Sequence, residues 1–221
     1  MHWMSWNRLC KEKKAGGIGF RDLQFFNQAL LAKQGWRLLK CPESLLQTLK
    51  IKVFPNCSFL DATIPTHASY MWRSIAQVRD LIRRGSRWRI GDGENVKIWH
   101  DKWLLDPSHG RIISPPQHLA PDATVACLID PILRKWRENT IDAAFLPFEA
   151  MAIRRIPLCS HPTQDSLVWM GTISGQFTVK SAYDFLWNEA SSALDMASAS
   201  SSTNMQKLWN GVWSHSVPAE I

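Results

Sequence analysis

Chemistry on phosphodiester bonds is commonly run by a tight group of carboxylates that hold two metal ions. The 19 Asp and Glu of this 221-residue chain are scattered singly, and no Asp-Asp pair occurs. His100-Asp101 is the most suggestive neighbouring pair. It sits at the end of an expected strand among Trp and Lys, where such pairs read as structural or exposed. Gly16-Gly17-Ile18-Gly19 lacks both the Lys-Ser/Thr of a phosphate-binding loop and the spacing of a dinucleotide fold, so it reads as a turn. The 7 His follow no metal-ligand spacing. Cys10, Cys41, Cys57, Cys127 and Cys159 are odd in number and contain no C-x-x-C. That pattern argues against a disulfide framework or a closed zinc site, and it fits a reducing compartment. The residues therefore suggest no catalytic group, no metal site and no cofactor.

The positive signal is basic and aromatic. The chain carries 12 Trp against 2 Tyr, and a formal net charge of +7. The charge is uneven: up to Leu104 there are 18 Lys and Arg against 8 Asp and Glu, a surplus of 10. From Leu105 onward there are 8 against 11, a deficit of 3. Such asymmetry suggests an anionic partner for the basic half, RNA or DNA before a membrane surface. The candidate contacts are Arg73, Arg79, Arg83, Arg84, Arg87, Arg89, Lys97, Trp99 and Lys102. Lys and Arg would meet backbone phosphates, and an exposed Trp would stack on a base for about 1–3 kcal/mol. Trp88 reads as core, and Trp99, on the opposite phase, is the better stacking candidate. The plainer reading, solvated arginines on an unpartnered surface, stays open.

The elements that must position these residues form a mostly helical α+β chain with two small β-hairpins. A short helix is expected in residues 1–12. Asp22 can cap a helix to about Lys40 with Leu23, Phe26, Leu30, Leu31 and Leu38 as its core stripe. Phe25, Trp36 and Leu39 lie off that stripe, so this helix should meet more than one neighbour. Pro42 ends it, and Ser44 can cap a second short helix. Ser69 can start another to about Arg84 with Met71, Ile75, Val78 and Ile82 inward. Arg87–Ile90 and Val96–Trp99 alternate around Gly91-Asp92-Gly93-Glu94-Asn95, which reads as the first hairpin. Its apolar face would hold Trp88, Ile90, Val96 and Ile98.

Residues 106–122 read as an irregular linker between a basic region, 1–105, and a smaller α+β segment, 123–190. Helical pieces are expected near Pro131–Arg137 and Ile141–Arg155, the second broken at Pro147. Residues 166–179 read as the second hairpin, turning at Thr172–Gly175, and Ser181 as the cap of the next helix. In that helix Tyr183, Leu186 and Trp187 share a face. Residues 191–203 are a Ser/Ala tract that reads as a linker, followed by a truncated helix in 204–221. No apolar run approaches the roughly 20 residues that span a bilayer, and no secretory signal is present. An intracellular location, nuclear or mitochondrial, is therefore expected.

Several segments resemble a known family in the right order. They are Trp6-x-x-Leu9-Cys10-Lys11, Gly16-Gly17-Ile18-Gly19-Phe20-Arg21-Asp22-Leu23 and the run Phe26–Leu39. Ser69–Ile75, Trp88–Gly93, Ile98-Trp99-x-Asp101-x-Trp103-Leu104, Asp165-x-x-x-Trp169, Gly175–Tyr183 and Leu208-Trp209-x-x-x-Trp213 continue the match. Together they resemble plant non-LTR (LINE-type) retrotransposon polyproteins, just downstream of the reverse-transcriptase catalytic domain and leading into its zinc-binding segment. The resemblance implies that the polymerase aspartates would precede Met1 and the Cys/His zinc ligands would follow Ile221. The chain is thus expected to be an incomplete, non-catalytic piece of such a polyprotein that contacts nucleic acid. Two rival expectations are a module that docks on an upstream reverse-transcriptase domain, and a part of an active RNA-directed DNA polymerase.

Overall fold

The computed structural model describes residues 6–10, 17–40, 59–63, 68–105, 110–161 and 163–197. The expected helix at Ser44 and the segment 204–221 lie outside them. The chain forms two compact units, one of Met1–Leu81 with Thr178–Ile221, the other of Ile82–Phe177.

In the first unit, α1 (Trp6–Leu9) ends where the N–H groups of Ile18, Gly19 and Phe20 converge on the Leu9 carbonyl at 3.0, 3.1 and 3.2 Å. Gly19 takes φ +79°, the left-handed conformation a turn of this kind needs. Asp22 then caps α2 (Leu23–Lys40): its Oδ1 accepts from the N–H of Gln24 at 2.8 Å and of Phe25 at 3.0 Å. The buried stripe of α2 is Ala29, Ala32, Gly35, Trp36 and Leu38, while Leu23 and Leu30 are exposed. The stripe expected from the large aliphatics is therefore rotated. Small residues let neighbouring helix axes approach, and a large side chain would hold them apart.

Helix α2 packs on two neighbours, as its off-stripe residues suggested: α3 (Tyr70–Gln77) and α7 (Val179–Ala197). On α7, Trp187 meets Phe25 edge-on at 6.3 Å and stacks with Tyr183 at 6.4 Å, and the Tyr183 hydroxyl accepts from the Asp22 N–H. The cap of α7 is Thr178 rather than Ser181. The Ser181 N–H donates to Thr178 Oγ1 and the Thr178 N–H to Ser181 Oγ, a reciprocal capping arrangement. Helix α7 runs to Ala197, so the first part of the Ser/Ala tract is helical rather than a linker. Its Ser192 hydroxyl bonds back to the Asn188 carbonyl.

The helix expected from Ser69 to Arg84 is two helices. Val78 leaves the helical path (φ −93°, ψ 5°), and α4 (Arg79–Gly85) follows it. The chain passes from one unit to the other within α4.

The expected fold class holds for the chain, mostly helical with a small sheet, but neither expected hairpin forms in the second unit. Strand β1 (Ser86–Arg89) pairs antiparallel with β2 (Ser166–Trp169), with Arg89 opposite Ser166 and Ser86 opposite Trp169. Residues 96–98 pair instead with 123–125, through Val125 N–H to Val96 O at 2.9 Å and Ile98 N–H to Ala123 O at 3.1 Å. The apolar phase is the expected one: Ile90, Val96 and Ile98 are buried and Trp88 is packed against them. After β2 a tight turn returns the Gly175 carbonyl to the Trp169 N–H at 2.8 Å. Phe177 then packs on Trp169 at 4.6 Å, and residues 176–178 form no return strand.

The cause of the altered pairing is one carboxylate. Asp165 accepts from three N–H groups of the intervening loop: Gly91 at 2.7 Å, Gly93 at 3.0 Å and Asn95 at 3.0 Å. The loop is thereby drawn to the start of β2. A Cβ on Gly91 would lie 2.1 Å from the Thr163 carbonyl oxygen, and one on Gly93 (φ +78°) would lie 2.6 Å from Ala126 N.

The core of this unit also holds Trp103, Val125, Leu128, Ile141 and Ile153. Helices α5 (Glu138–Ala144) and α6 (Pro147–Arg154) are separated at Pro147, as expected. Between them and the core, buried Glu149 accepts from the Ile113, Ser114 and Leu146 N–H groups and the Ser114 hydroxyl. Residues 110–114, expected to be part of a linker, are thus held to the core. Pro131–Arg137, expected to be helical, is a tight loop closed by an isolated bridge between Ile129 and Trp136.

Charge-assisted hydrogen bonds contribute about 1.5–3 kcal/mol each. Asp165→Ala should therefore lower unfolding free energy by about 2–4 kcal/mol in urea titrations, with the three loop N–H groups left unpaired. A loss under about 0.5 kcal/mol, the scale of a neutral surface change, would contradict this role.

Candidate nucleic-acid interface

The nine candidate residues divide between the two units. Arg73 and Arg79 belong to the first, where both guanidinium groups serve the fold. Arg73 Nε donates to the Ala68 carbonyl at 3.0 Å. Arg79 donates to the Ala62 carbonyl and lies over the Phe59 ring, 5.6 Å from its centroid.

The other seven lie in the second unit. Arg83 and Arg84 are exposed in the last turn of α4, where a cation is favoured by the helix dipole. Lys102 reaches the same helix end, its Nζ 3.4 Å from the Arg84 carbonyl, while its own carbonyl accepts from the Trp88 N–H at 2.7 Å. β1 continues directly from α4 and places Arg87 and Arg89 on one face. Arg87 is half-buried, and burial lowers its pKa below the ordinary arginine value. Arg89 is exposed, with Nε 3.2 Å from Ser166 Oγ on β2. Arg83, Arg84, Arg87, Arg89 and Lys102 therefore share one corner where α4 turns into β1. Lys97 is exposed on the adjoining segment, where its backbone forms an isolated bridge with Thr124.

Trp99 is half-buried. Its Nε1 donates to the Ser114 carbonyl at 2.8 Å, and its ring lies 6.3 Å from Phe145 against the core. Two other tryptophans are anchored in the same way: Trp103 Nε1 donates to Ile98 O and Trp136 Nε1 to Ile156 O. Among the described residues Trp6 alone is exposed. His100-Asp101 resolves as a turn, in which the Asp101 carboxylate accepts from the Lys97 N–H at 2.7 Å and His100 is exposed.

Asp165 is quoted in the sequence only as part of Asp165-x-x-x-Trp169, which carries no sign of its bonds to the 91–95 loop. Glu149 and Arg134 have no sequence signal of their own; Arg134 holds φ +51° and donates to the carbonyls of Gly91 at 2.6 Å and Cys159 at 3.3 Å. The same is true of Asp130, whose Oδ1 accepts from the N–H groups of Leu133 and Ile132, which hold its pKa below the ordinary carboxylate value. The glycines of residues 91–93 are visible signals, but their pairing with an Asp more than 70 residues away is not. Among the described residues no three His, Cys, Asp or Glu come together as metal ligands would, and no helix is long and apolar enough to cross a membrane.

Fold and charge thus define a tryptophan-cored α+β protein with a basic helix-to-strand corner. The chain belongs to the family of the Uncharacterized mitochondrial protein AtMg00310 of Arabidopsis thaliana. The two are 47% identical over 106 residues, covering 47% of this chain and 69% of that protein. The chain is also 30% identical over 225 residues to the Putative ribonuclease H protein At1g65750 of Arabidopsis thaliana. That alignment covers 100% of the chain and 35% of the relative, so the chain spans about a third of the longer protein's length. No protein-family model matches the chain, and no solved structure does.

The division of the arginines is open to measurement. Arg79→Met should cost about 1–2 kcal/mol through its lost bond to the Ala62 carbonyl. Arg83→Met, on an exposed helix end, should stay within about 0.5 kcal/mol. Equal losses in thermal unfolding would remove the distinction.

Proposed function

We propose that the chain is a non-catalytic, nucleic-acid-contacting module of a retrotransposon-derived plant polyprotein, of the LINE type, from the region between polymerase and zinc-binding segments. The observation that carries this reading is the basic corner of α4 and β1, with Arg83, Arg84, Arg87, Arg89 and Lys102 together. The full-length alignment with part of a longer protein named for ribonuclease H supports placement within a polyprotein that handles nucleic acid. A relative named as a mitochondrial protein is in keeping with a nuclear or mitochondrial location.

Contacts of this kind are to phosphates and carry little sequence information. Arg87, half-buried at the base of the corner, remains charged and orients toward its neighbours less freely than Arg83 or Arg84. Trp99 is engaged with the Ser114 carbonyl and the core, so the corner works through charge rather than through base stacking.

A rival reading, docking on a polymerase domain, draws on exposed Leu146, Phe148 and Met151 around α6. It expects binding to a separately expressed upstream domain that salt does not weaken.

The test is filter binding of single-stranded and duplex RNA and DNA to the purified chain over a salt series. Sequence-independent binding with Kd of order 10⁻⁴–10⁻⁶ M near physiological salt is expected. Reversing Arg83 and Arg84 to Glu should flatten the log–log salt slope for single strands by about 1.4, the value of two lost phosphate contacts. Absence of binding at about 50 mM salt overturns the contact reading, because phosphate contacts are strongest there. Metal-dependent primer extension or RNA cleavage by the chain overturns its non-catalytic part.

A further inference from the structure

The loop between the Ile129–Trp136 bridge partners is unusual in combining rigidity, strain and apolar exposure. Asp130 Oδ1 accepts from the N–H groups of Ile132 and Leu133, both at 2.9 Å. The Asp130 carbonyl accepts from the Arg134 N–H at 2.9 Å, and the Asp130 N–H donates to the Lys135 carbonyl at 2.8 Å. Arg134, a non-glycine residue at φ +51°, is held there by its two guanidinium bonds to Gly91 and Cys159. A backbone in this region is disfavoured for a side-chain-bearing residue and persists where the surroundings over-determine it.

What all these bonds hold out into solvent is apolar: Ile132 is 89% exposed and Leu133 66%. A loop fixed this firmly does not collapse to cover them. At its base the chain continues through Lys135, Trp136 and Arg137, which line a cleft of about 530 Å³ with Asp130 and Arg154. Lys135 and Arg137 are exposed, and Trp136 is half-buried with its inner side toward Trp103 at 6.3 Å. Arg154 is engaged by Asp142.

We propose that this loop is a second nucleic-acid contact, distinct from the α4–β1 corner, in which Ile132 and Leu133 press on the faces of unpaired bases while Lys135 and Arg137 hold the flanking phosphates. The inference rests on the nucleic-acid reading above. Leu and Ile wedges beside cations are known to press on base faces even in paired DNA, at a cost in unstacking that unpaired bases do not impose. The occupant is a single strand, because a paired helix keeps its base faces stacked on one another. Arg134, Lys135, Arg137 and Arg154 outnumber Asp130 and Glu138 along the cleft, an excess of positive charge that complements a polyanion. The sequence reading placed all its contacts before Leu105, so this one extends the interface into the segment without basic excess.

The experiment is fluorescence anisotropy of a labelled oligothymidylate with the full chain, with three double variants. Ile132→Asn with Leu133→Asn alters only exposed side chains, so its urea midpoint should match the parent. It should weaken binding about five- to tenfold, the order expected when an aliphatic side chain loses part of its burial, with the salt slope unchanged. Lys135→Glu with Arg137→Glu should flatten the slope by about 1.4. Arg83→Glu with Arg84→Glu reports on the corner alone. If the parent chain fails to bind, the nucleic-acid reading falls. If it binds, the corner variant weakens and both loop variants bind as the parent does, the loop assignment is overturned and the reading stands. A parallel sedimentation arm uses phosphatidylserine vesicles. Loss of vesicle binding in the Ile132/Leu133 variant, with oligothymidylate binding unchanged, also overturns the assignment.

Discussion

The second unit depends on the Asp165 carboxylate and the three N–H groups it gathers. A carboxylate needs several donors when it leaves bulk water, and a turn whose N–H groups point inward needs an acceptor. Residues 91–95 and Asp165 satisfy each other. The geometry is possible because Gly91 and Gly93 have no Cβ where Thr163 and Ala126 approach. Since Asp165 immediately precedes β2, the same bonds set Ser166 opposite Arg89 and fix the register of the sheet. They also turn residues 96–98 away from β1 and toward 123–125, which closes the core around Val96, Ile98 and Val125.

Tryptophan packing follows from this frame. Trp169 ends β2 and lies on Gly85, where a Cβ would stand 2.2 Å from its ring. Thus the last residue of α4 must be small for β1 and β2 to pair. The indole N–H groups of Trp99, Trp103 and Trp136 each find a backbone carbonyl, so these three rings pack into the core with their donors satisfied. A Trp-rich composition serves here mainly as a way of filling a small core between short elements.

The position of the charges is a consequence of the same packing. Four carboxylates in this unit turn toward backbone N–H groups: Asp165 to the 91–95 loop, Glu149 to Ile113 and Ser114, Asp101 to Lys97, and Asp130 to its own loop. Arg83, Arg84, Arg89, Lys97, Lys135 and Arg137 are exposed. Glu94, Asp122, Glu138 and Asp142 are exposed as well, so the surface of this unit carries both signs of charge.

The sequence by itself determined the fold class, the Asp22 cap, the turn at Gly17–Gly19, the break at Pro147, the apolar phase of 88–98 and the Tyr183–Trp187 face of the last helix. These are local properties, set by a side chain acting within about one turn of its own backbone. Tertiary structure decided which strands pair, which face of α2 is buried, and that Trp99, Arg73 and Arg79 are engaged by the fold. It also decided that Ile132 and Leu133 are held outward. Alternation around a glycine turn describes a hairpin equally well whether or not a distant carboxylate captures the turn. A large aliphatic stripe describes a helix face without saying whether its neighbour comes close enough to demand alanine instead. In each case the deciding partner lies tens of residues away, and periodicity carries no record of it.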